Sequence, residues 1–229
     1  MKDRSSLQDA ASTAVVCKRI SLLRRRQDMT VDAFRAHWAG PHADIAREVP
    51  GIARYTQNRV KEVLWVTPHD HGEYLCDGLV ELEFLDAHAM QLAGETVAVK
   101  ALLPEDEMRF LQGITLCRTT KGARHLWPGM HKVMLAIRWE AVGCRGLSLD
   151  AWIQATGCLE YSVETVASAF HRAQLVHEPL APHMFATLWF DHLASARRAM
   201  APQTSWSMSA RAAMSKATAW LVDPLPIMG

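Results

Sequence analysis

Residues 18–25 read KRISLLRR, and residues 132–139 read KVMLAIRW. Two further pairs of similar segments follow in the same order along the chain: MTVDAF at 29–34 with LSLDAW at 147–152, and VELEFLD at 80–86 with ATLWFD at 186–191. Each partner lies about 110 positions after its counterpart, a spacing that indicates domain duplication rather than a solenoid. The pattern predicts two related halves with different loops.

The first half carries alternating strand and helix signals. Strands are predicted at 15–24, 52–60, 77–84 and 113–119. Thr30 can cap a first helix, in which Val31, Phe34 and Trp38 share one face, and a second helix is predicted at 86–100. The resulting order, βαββαβ, is that of the ferredoxin-like unit.

The predicted fold class is α+β: two tandem ferredoxin-like βαββαβ repeats that pair their antiparallel sheets into an α+β barrel. Each sheet covers one face with its own helices and leaves the other face to be buried against the second sheet. The expected organisation is a disordered tail at 1–14, a first repeat at 15–122 and a degenerate second repeat at 130–229. The junction, 119–130, is rich in Gly and Pro, and a final strand is expected at 218–222.

Composition excludes several classes of function. The chain has 229 residues, 49% hydrophobic and 21% charged, with a formal net charge of +1 and no basic stripe, so nucleic acid is not an expected partner. Uncharged stretches are too short for a membrane span, and the polar N-terminus lacks the apolar run of a secretory signal. Five cysteines without CxxC spacing predict reduced thiols and a cytoplasmic location.

Two histidines flank a Gly-Pro pair in FRAHWAGPH, residues 34–42. Pro41 cannot donate to the carbonyl of His37, so we expect the helix to kink or to restart at Pro41. In a restarted helix, His42 lies in the first turn, where the helix dipole keeps it neutral and able to accept a proton. The alternative is that His42 is a buried core histidine and His37 a solvated one.

Strand faces supply the other candidate residues. In the predicted strand 77–84, Asp77 and Glu81 fall on the face opposite Gly78, and we expect that face to line a wet barrel interior, where a carboxylate orients a histidine or transfers protons. On the strand 52–60, Tyr55 and Gln57 share one face and Asn58 lies on the other. Tyr55 is either a donor to a substrate carbonyl or a packing residue.

The second half acts as an internal control. Aligned through the repeated segments, His37 corresponds to Ala155 and Glu81 to Thr187, and no Gly-Pro-His follows. The two halves share the pattern of apolar residues, whereas His37, His42 and Glu81 have no counterparts in the second half. This asymmetry favours a functional site in the first half.

These motifs together resemble the EthD family of the dimeric α+β barrel superfamily. The matching elements are the arginines at 24–26, F-x-x-H-W-x-x-x-H at 34–42, P-G-x-x-x-Y-x-Q-N at 50–58, D-G-x-x-E-x-x-F at 77–84 and an acidic segment, PEDEMRFL, at 104–111. The resemblance implies paired barrels that hold small organic ligands. Relatives include methylmuconolactone isomerases and fungal polyketide dehydratases and decarboxylases, which transfer protons next to a carbonyl without a cofactor.

We therefore expect a cofactor-independent isomerase or lyase acting on a small carbonyl or lactone metabolite in the barrel. The candidate catalytic residues are His42, His37, Glu81 and Asp77, and the candidate substrate-binding residues are Tyr55, Trp38, Gln57 and Asn58. The alternative is a non-catalytic binding protein or an accessory protein of an oxygenase pathway. No metal is expected, although PHDHGE at 68–73 contains ligand types, and haem binding stays open. A homodimer of the two-repeat chain also stays open.

Overall fold

The computed structural model describes residues 17–67, 72–120, 128–140, 149–201, 204 and 213–229. The first half contains, in chain order, β1 Cys17–Arg25, α1 Val31–His37, α2 Ala43–Arg47, β2 Ile52–Val66, β3 Gly78–Phe84, α3 Ala87–Gly94, α4 Leu103–Phe110 and β4 Leu111–Thr119. Two π-helical segments, Trp38–His42 and Ala98–Leu102, connect α1 to α2 and precede α4. The second half contains β5 His131–Trp139, α5 Leu149–Gln154, β6 Glu160–Phe170, β7 Met184–Phe190, α6 Leu193–Ala199 and β8 Met214–Met228.

The eight strands form a closed antiparallel barrel in the order β1-β3-β2-β8-β5-β7-β6-β4. The halves meet at two seams, β2 with β8 and β4 with β6. Closure leaves no strand edge unpaired. The predicted α+β barrel with an eight-stranded antiparallel sheet is confirmed.

Alternation along the strands creates separate cores inside and outside the barrel. Ile20 and Leu22 of β1 point inward and pack with Met134, Phe185 and Trp220 from the second half. The opposite face of each half packs under its own helices, as Leu23 does with Phe34 and Phe110 in the first half. Burial on both faces makes these strands predominantly apolar.

Several elements differ in length from the sequence expectation. β2 runs on to Val66 and β8 covers Met214–Met228, because these two long strands pair with each other along the seam between the halves. The helix expected at 86–100 ends at Gly94 and resumes as a π-helical segment before α4. The expected tail at 1–14 and most of the junction at 119–130 lie outside the described residues.

Local signals account for the helix starts. The Thr30 side chain accepts a hydrogen bond of 3.1 Å from the backbone N–H of Ala33, and Asp86 caps α3 in the same way through Ala89. Among the described residues, no helix combines the length and the apolar character needed to cross a membrane.

Candidate functional site

Asp106 joins the two histidines of the FRAHWAGPH segment. Its Oδ2 lies 2.9 Å from Nδ1 of His42, and its Oδ1 lies 2.9 Å from Nε2 of His37. Asp106 belongs to α4, and its side chain is 4% exposed. Both imidazoles also pack against the ring of Phe110 one turn later, with ring centroids 4.8 Å away for His37 and 5.0 Å for His42. The carboxylate thus fixes the orientation of both rings.

A π-helical turn brings the two histidines to the same carboxylate. In an α-helix, residues five apart point about 140° away from each other, whereas the wider i→i+5 turn brings them nearer to one face. Trp38–His42 is such a turn, with Pro41 inside it, and the right-handed helical backbone continues into α2. Of the expected kink or restart at Pro41, the restart does not occur, and His42 does not lie in the first turn of a separate helix.

The hydrogen bonds define which nitrogen of His42 is free. Burial raises the pKa of Asp106, but the hydrogen bonds from His42 and His37 outweigh this effect and leave the pKa below the usual value. An ionised carboxylate only accepts hydrogen bonds, so His42 donates through Nδ1–H. In the neutral ring this leaves the lone pair on Nε2, which has no hydrogen-bond partner in the part of the chain that is described. This is the arrangement of a histidine base oriented by an aspartate.

His42 lines a cavity between the sheet of the first half and its helices. The cavity measures about 60 Å³, room for a few waters or a small organic group. Most of its wall is apolar, with Val80, Leu82 and Phe84 of β3 on one side and Val99 and Leu103 on the other. Its polar lining consists of Arg19, Ser21, His42, Tyr55, Glu107 and Arg172.

Tyr55 reaches the same cavity from β2. Its hydroxyl oxygen accepts a 2.7 Å hydrogen bond from Nε2 of Gln57, which also donates to the backbone carbonyl of Trp38. Burial holds the pKa of Tyr55 well above its usual value, so the hydroxyl keeps its proton and can donate it to a ligand oxygen. Tyr55 and Gln57 share one face and Asn58 lies on the other, as the strand pattern predicts.

Trp38 positions this group without lining the cavity itself. The indole is buried against β3, where a Cβ on Gly78 would lie 2.4 Å from its nearest ring atom. Glycine at position 78 is therefore required by the close approach of an aromatic ring. This contact gives the Asp77-Gly78 motif a packing role.

Glu81 and Asp77 do not lie near His42, contrary to the expected common hollow. Glu81 points into the barrel from the opposite face of β3, where Asn58 donates a 2.8 Å hydrogen bond to it. Asp77 accepts hydrogen bonds from the backbone N–H and the Nε of Arg25, at 3.0 and 3.1 Å. Because successive residues of a strand face opposite sides, the sheet itself separates Glu81 from the histidines. The carboxylate that orients His42 is Asp106.

The barrel centre holds a buried ion network instead of a wet hollow. Lys18 donates to Glu81 at 2.7 Å and to Glu164 at 2.8 Å, and Lys132 contacts Glu81 and donates to Asn58 at 3.0 Å. Burial lowers the pKa of Lys18, but the two carboxylates reverse this effect and raise it. Burial raises the pKa of Glu81, but the two ammonium groups lower it well below the usual range. The network joins the halves and leaves Glu81 without a proton to exchange.

The second half contributes to the cavity of the first. Arg172, just after β6, donates two hydrogen bonds to Glu107 of α4, at 2.7 and 3.2 Å. Both residues line the cavity. The site is therefore completed across the β4–β6 seam.

Sequence reasoning missed Asp106, Arg19 and the lysine pair. Asp106 lies in PEDEMRFL, which matches the family pattern only as an acidic segment. Lys18 and Lys132 open the two repeated segments KRISLLRR and KVMLAIRW. Because the two lysines occupy matched positions in the two repeats, the sequence does contain a signal that both side chains point into the barrel.

Metal ligation has no support among the described residues, which hold no group of three or more His, Cys, Asp or Glu side chains suited to a metal ion. His69, Asp70 and His71 of the PHDHGE segment lie outside the described residues. Cys17, Cys76, Cys117 and Cys158 are free thiols, and Cys144 lies outside the described residues.

Comparison with known families supports the motif reading. Residues 26–113 match the model of the EthD domain. The first half of the chain is therefore similar to EthD domains. The match includes both histidines, Tyr55, Glu81 and Asp106 and ends before the second half begins. Among curated proteins, no sequence match is found.

Solved structures extend the likeness to the whole barrel. An anthrone oxidase-like protein is 12% identical over 93% of this chain and 94% of its own, with a TM-score of 0.58. A putative monooxygenase from Fusobacterium nucleatum is 9% identical over 91% and 93%, with a TM-score of 0.52. An EthD family protein from Bacillus halodurans is 25% identical over 48% of this chain and 99% of its own, with a TM-score of 0.36. The first two likenesses establish a shared fold.

Proposed function

We propose that this EthD domain protein is a cofactor-independent isomerase or lyase that moves a proton next to the carbonyl of a small organic metabolite. His42 is the general base and Tyr55 the hydrogen-bond donor to the carbonyl oxygen. The supporting observation is that His42, whose Nδ1 lies 2.9 Å from Oδ2 of Asp106, lines the same cavity as Tyr55. General bases of this type contribute about 10²- to 10⁴-fold to rates.

The proton balance of the step is simple. The Nε2 lone pair of His42 takes the proton from the carbon next to the carbonyl, and the C–H electron pair moves onto the carbonyl oxygen as an enolate. The hydroxyl of Tyr55 donates a hydrogen bond to that oxygen. Return of the proton to another carbon completes an isomerisation, whereas loss of a leaving group from the neighbouring carbon completes an elimination.

His37 is a positioning residue in this proposal, because it does not line the cavity and holds the second oxygen of Asp106. With one oxygen anchored by His37, the other stays aimed at Nδ1 of His42. The proposed ligand site also lies between the sheet and the helices, not inside the barrel.

We further interpret the two halves as tandem ferredoxin-like units. Each half supplies four neighbouring strands to the barrel, in the order β4-β1-β3-β2 for the first half and β8-β5-β7-β6 for the second.

The test is hydrogen–deuterium exchange at carbon, which needs no knowledge of the product. Full-length protein in D₂O is incubated with 2-oxobutyrate, cyclohexanone and γ-valerolactone, and loss of the proton signal next to each carbonyl is followed by NMR. We expect exchange of at least one probe, reduced about 10²-fold or more in His42→Gln. His192→Gln, which changes an exposed histidine with a side chain 77% exposed, should exchange at the wild-type rate. Equal rates in the wild type and His42→Gln would remove His42 from the role of base.

The second candidate is a non-catalytic ligand-binding protein, with a role beside an oxygenase as one possibility. The small size of the cavity, about 60 Å³, favours it, because a substrate with several rings has no room without movement of the helices. Probes that bind in the cavity without any exchange would support this candidate.

A further inference from the structure

Arg19 is an unusual residue in the wall of the cavity. It lies on β1 and faces the helices, and its guanidinium makes no hydrogen bond or ion pair with any described residue. Its contact with Phe84 is an aromatic one, with the ring centroid 5.9 Å from Cζ. A guanidinium carries five donors in a planar fork, and those of Arg19 have no protein acceptor among the described residues.

The surroundings add positive charge around Arg19. Its direct cross-strand partner on β4 is Arg118, and like charges in that relation are destabilising. Arg172 is also near, but both oxygens of Glu107 already bind it. Burial, followed by Arg172, lowers the pKa of Arg19. The charge of Glu107 offsets this pKa shift only in part, and neither Arg19 nor Arg118 forms an ion pair in the part of the chain that the structure describes.

Arg19 also connects two spaces. Together with Gly94 it lines both the cavity that contains His42 and an outer depression of about 470 Å³. The depression has Arg118, His88, Gln91, Met90 and Phe170 in its wall. A ligand that passes from the depression toward His42 therefore meets the guanidinium of Arg19.

We propose that Arg19 is a binding residue for a carboxylate on the ligand, with Arg118 as its electrostatic support. The ligand is then a small, mainly apolar carboxylic acid whose carboxylate pairs with Arg19 and whose apolar part occupies the space lined by Val80, Leu82 and Phe84. The planar fork of arginine matches two carboxylate oxygens, which fixes the orientation of a ligand as well as its affinity. The assignment rests on the proposed function only in taking the same cavity as the ligand site.

Stability gives an independent readout. Replacing an unpaired, partly buried cation beside a like charge should not weaken the fold, so Arg19→Met should unfold at the same temperature as the wild type or a higher one. Binding residues commonly lower the stability of the free protein while they improve ligand binding. A melting temperature several degrees lower would instead show that Arg19 has a structural role.

The binding test uses butyrate, its uncharged analogue butyramide and inorganic phosphate, each titrated by calorimetry or NMR into the full-length protein. We expect butyrate to bind roughly ten- to a hundredfold more tightly than butyramide, and Arg19→Met to remove that preference. Arg118→Met should weaken butyrate binding by a smaller factor. Arg109→Met serves as the matched control, because Arg109 is an exposed residue of α4 paired with Glu105.

Three results would overturn the assignment: equal binding of butyrate and butyramide, unchanged butyrate binding by Arg19→Met, or inorganic phosphate binding at least as tightly as butyrate. If Arg19→Met folds poorly, Arg19→Lys replaces it in the test. This variant keeps the positive charge but loses the planar fork, so it should retain only part of the preference for butyrate over butyramide. His42→Gln separates the two proposals, because it should reduce carbon exchange about 10²-fold or more and still bind butyrate more tightly than butyramide. Butyrate binding that depends on Arg19 while exchange is insensitive to His42 would support this inference and contradict the proposed function.

Discussion

Lys18 of the first half donates a 2.8 Å hydrogen bond to Glu164 of the second half, and both side chains are completely buried. The bond is part of the network that also includes Glu81, Lys132 and Asn58. Buried ion networks contribute little net stability compared with apolar residues, but removal of one partner is strongly destabilising. The halves are thus joined by charge at the barrel centre as well as by backbone pairing at the two seams.

Lys18→Met should lower the free energy of unfolding by about 3–5 kcal/mol, because it leaves Glu81 and Glu164 buried with one remaining ammonium group. Urea unfolding at pH 7 measures the change. Lys100→Met is the control, since that side chain is 57% exposed and a surface change of this kind should stay within about 0.5 kcal/mol. A Lys18→Met protein as stable as this control would show that the network is not formed in solution.

Glu81→Gln and Glu164→Gln should have different effects on the free energy of unfolding. The pKa of Glu81 is lowered in the fold, so its ionisation stabilises the protein above its ordinary pKa of 4.5, and this contribution is lost as the pH falls. The pKa of Glu164 is raised, mainly by burial, so its ionisation opposes folding above pH 4.5. At pH 7 we expect Glu81→Gln to be destabilising and Glu164→Gln to be neutral or stabilising. Unfolding curves at pH 7 and pH 4 test this, and the deficit of Glu81→Gln should be smaller at pH 4.

Gly78→Ala should destabilise the protein by about 1–3 kcal/mol, because its Cβ would overlap the ring of Trp38. Movement of Trp38 should also disturb its π-helical turn and reduce carbon exchange. Gly40→Ala is the matched control, since no atom lies within 4 Å of its added Cβ. Thermal unfolding of the two variants separates the overlap from a general effect of replacing glycine.

Asp106→Asn should reduce the exchange rate by about 10²-fold or more while preserving the volume of the side chain. The amide can donate as well as accept, so it no longer enforces the tautomer of His42 that leaves Nε2 free. Glu105→Gln changes the preceding residue, which is exposed, and should have the wild-type rate. If Asp106→Asn retained full exchange in a folded protein, His42 would not need its aspartate.

The barrel was predictable because apolar alternation and repeated segments are local signals. The inward and outward faces of β2 and β3 likewise follow from period two, which correctly separates Tyr55 from Asn58. The pairing of His42 with Asp106 was not predictable in this way, because the two residues are far apart in sequence and meet through the packing of α4 on a π-helical turn. An α-helical period places His37 and His42 on different faces, so the sequence alone favoured Glu81 as the carboxylate partner.

Lys18 and Lys132 show a second limit of sequence reasoning. A lysine at the end of an apolar strand normally extends into solvent, and that interpretation fits each half taken alone. Only the closure of one sheet on the other places both ammonium groups in the same interior. Their carboxylate partners come from different strands, and from both halves.

Because Arg172 and Glu164 both come from the second half, a fragment trimmed to residues 26–113 would keep the family signature and lose one wall of the cavity together with its charge balance. Such a piece also lacks β1 and Lys18, so a second copy of it supplies neither the lysine that matches Lys132 nor a glutamate at the place of Glu164. With both halves in one polypeptide, the second half needs no histidine pair of its own. It supplies a part of the cavity wall through Arg172 and a carboxylate for Lys18 through Glu164.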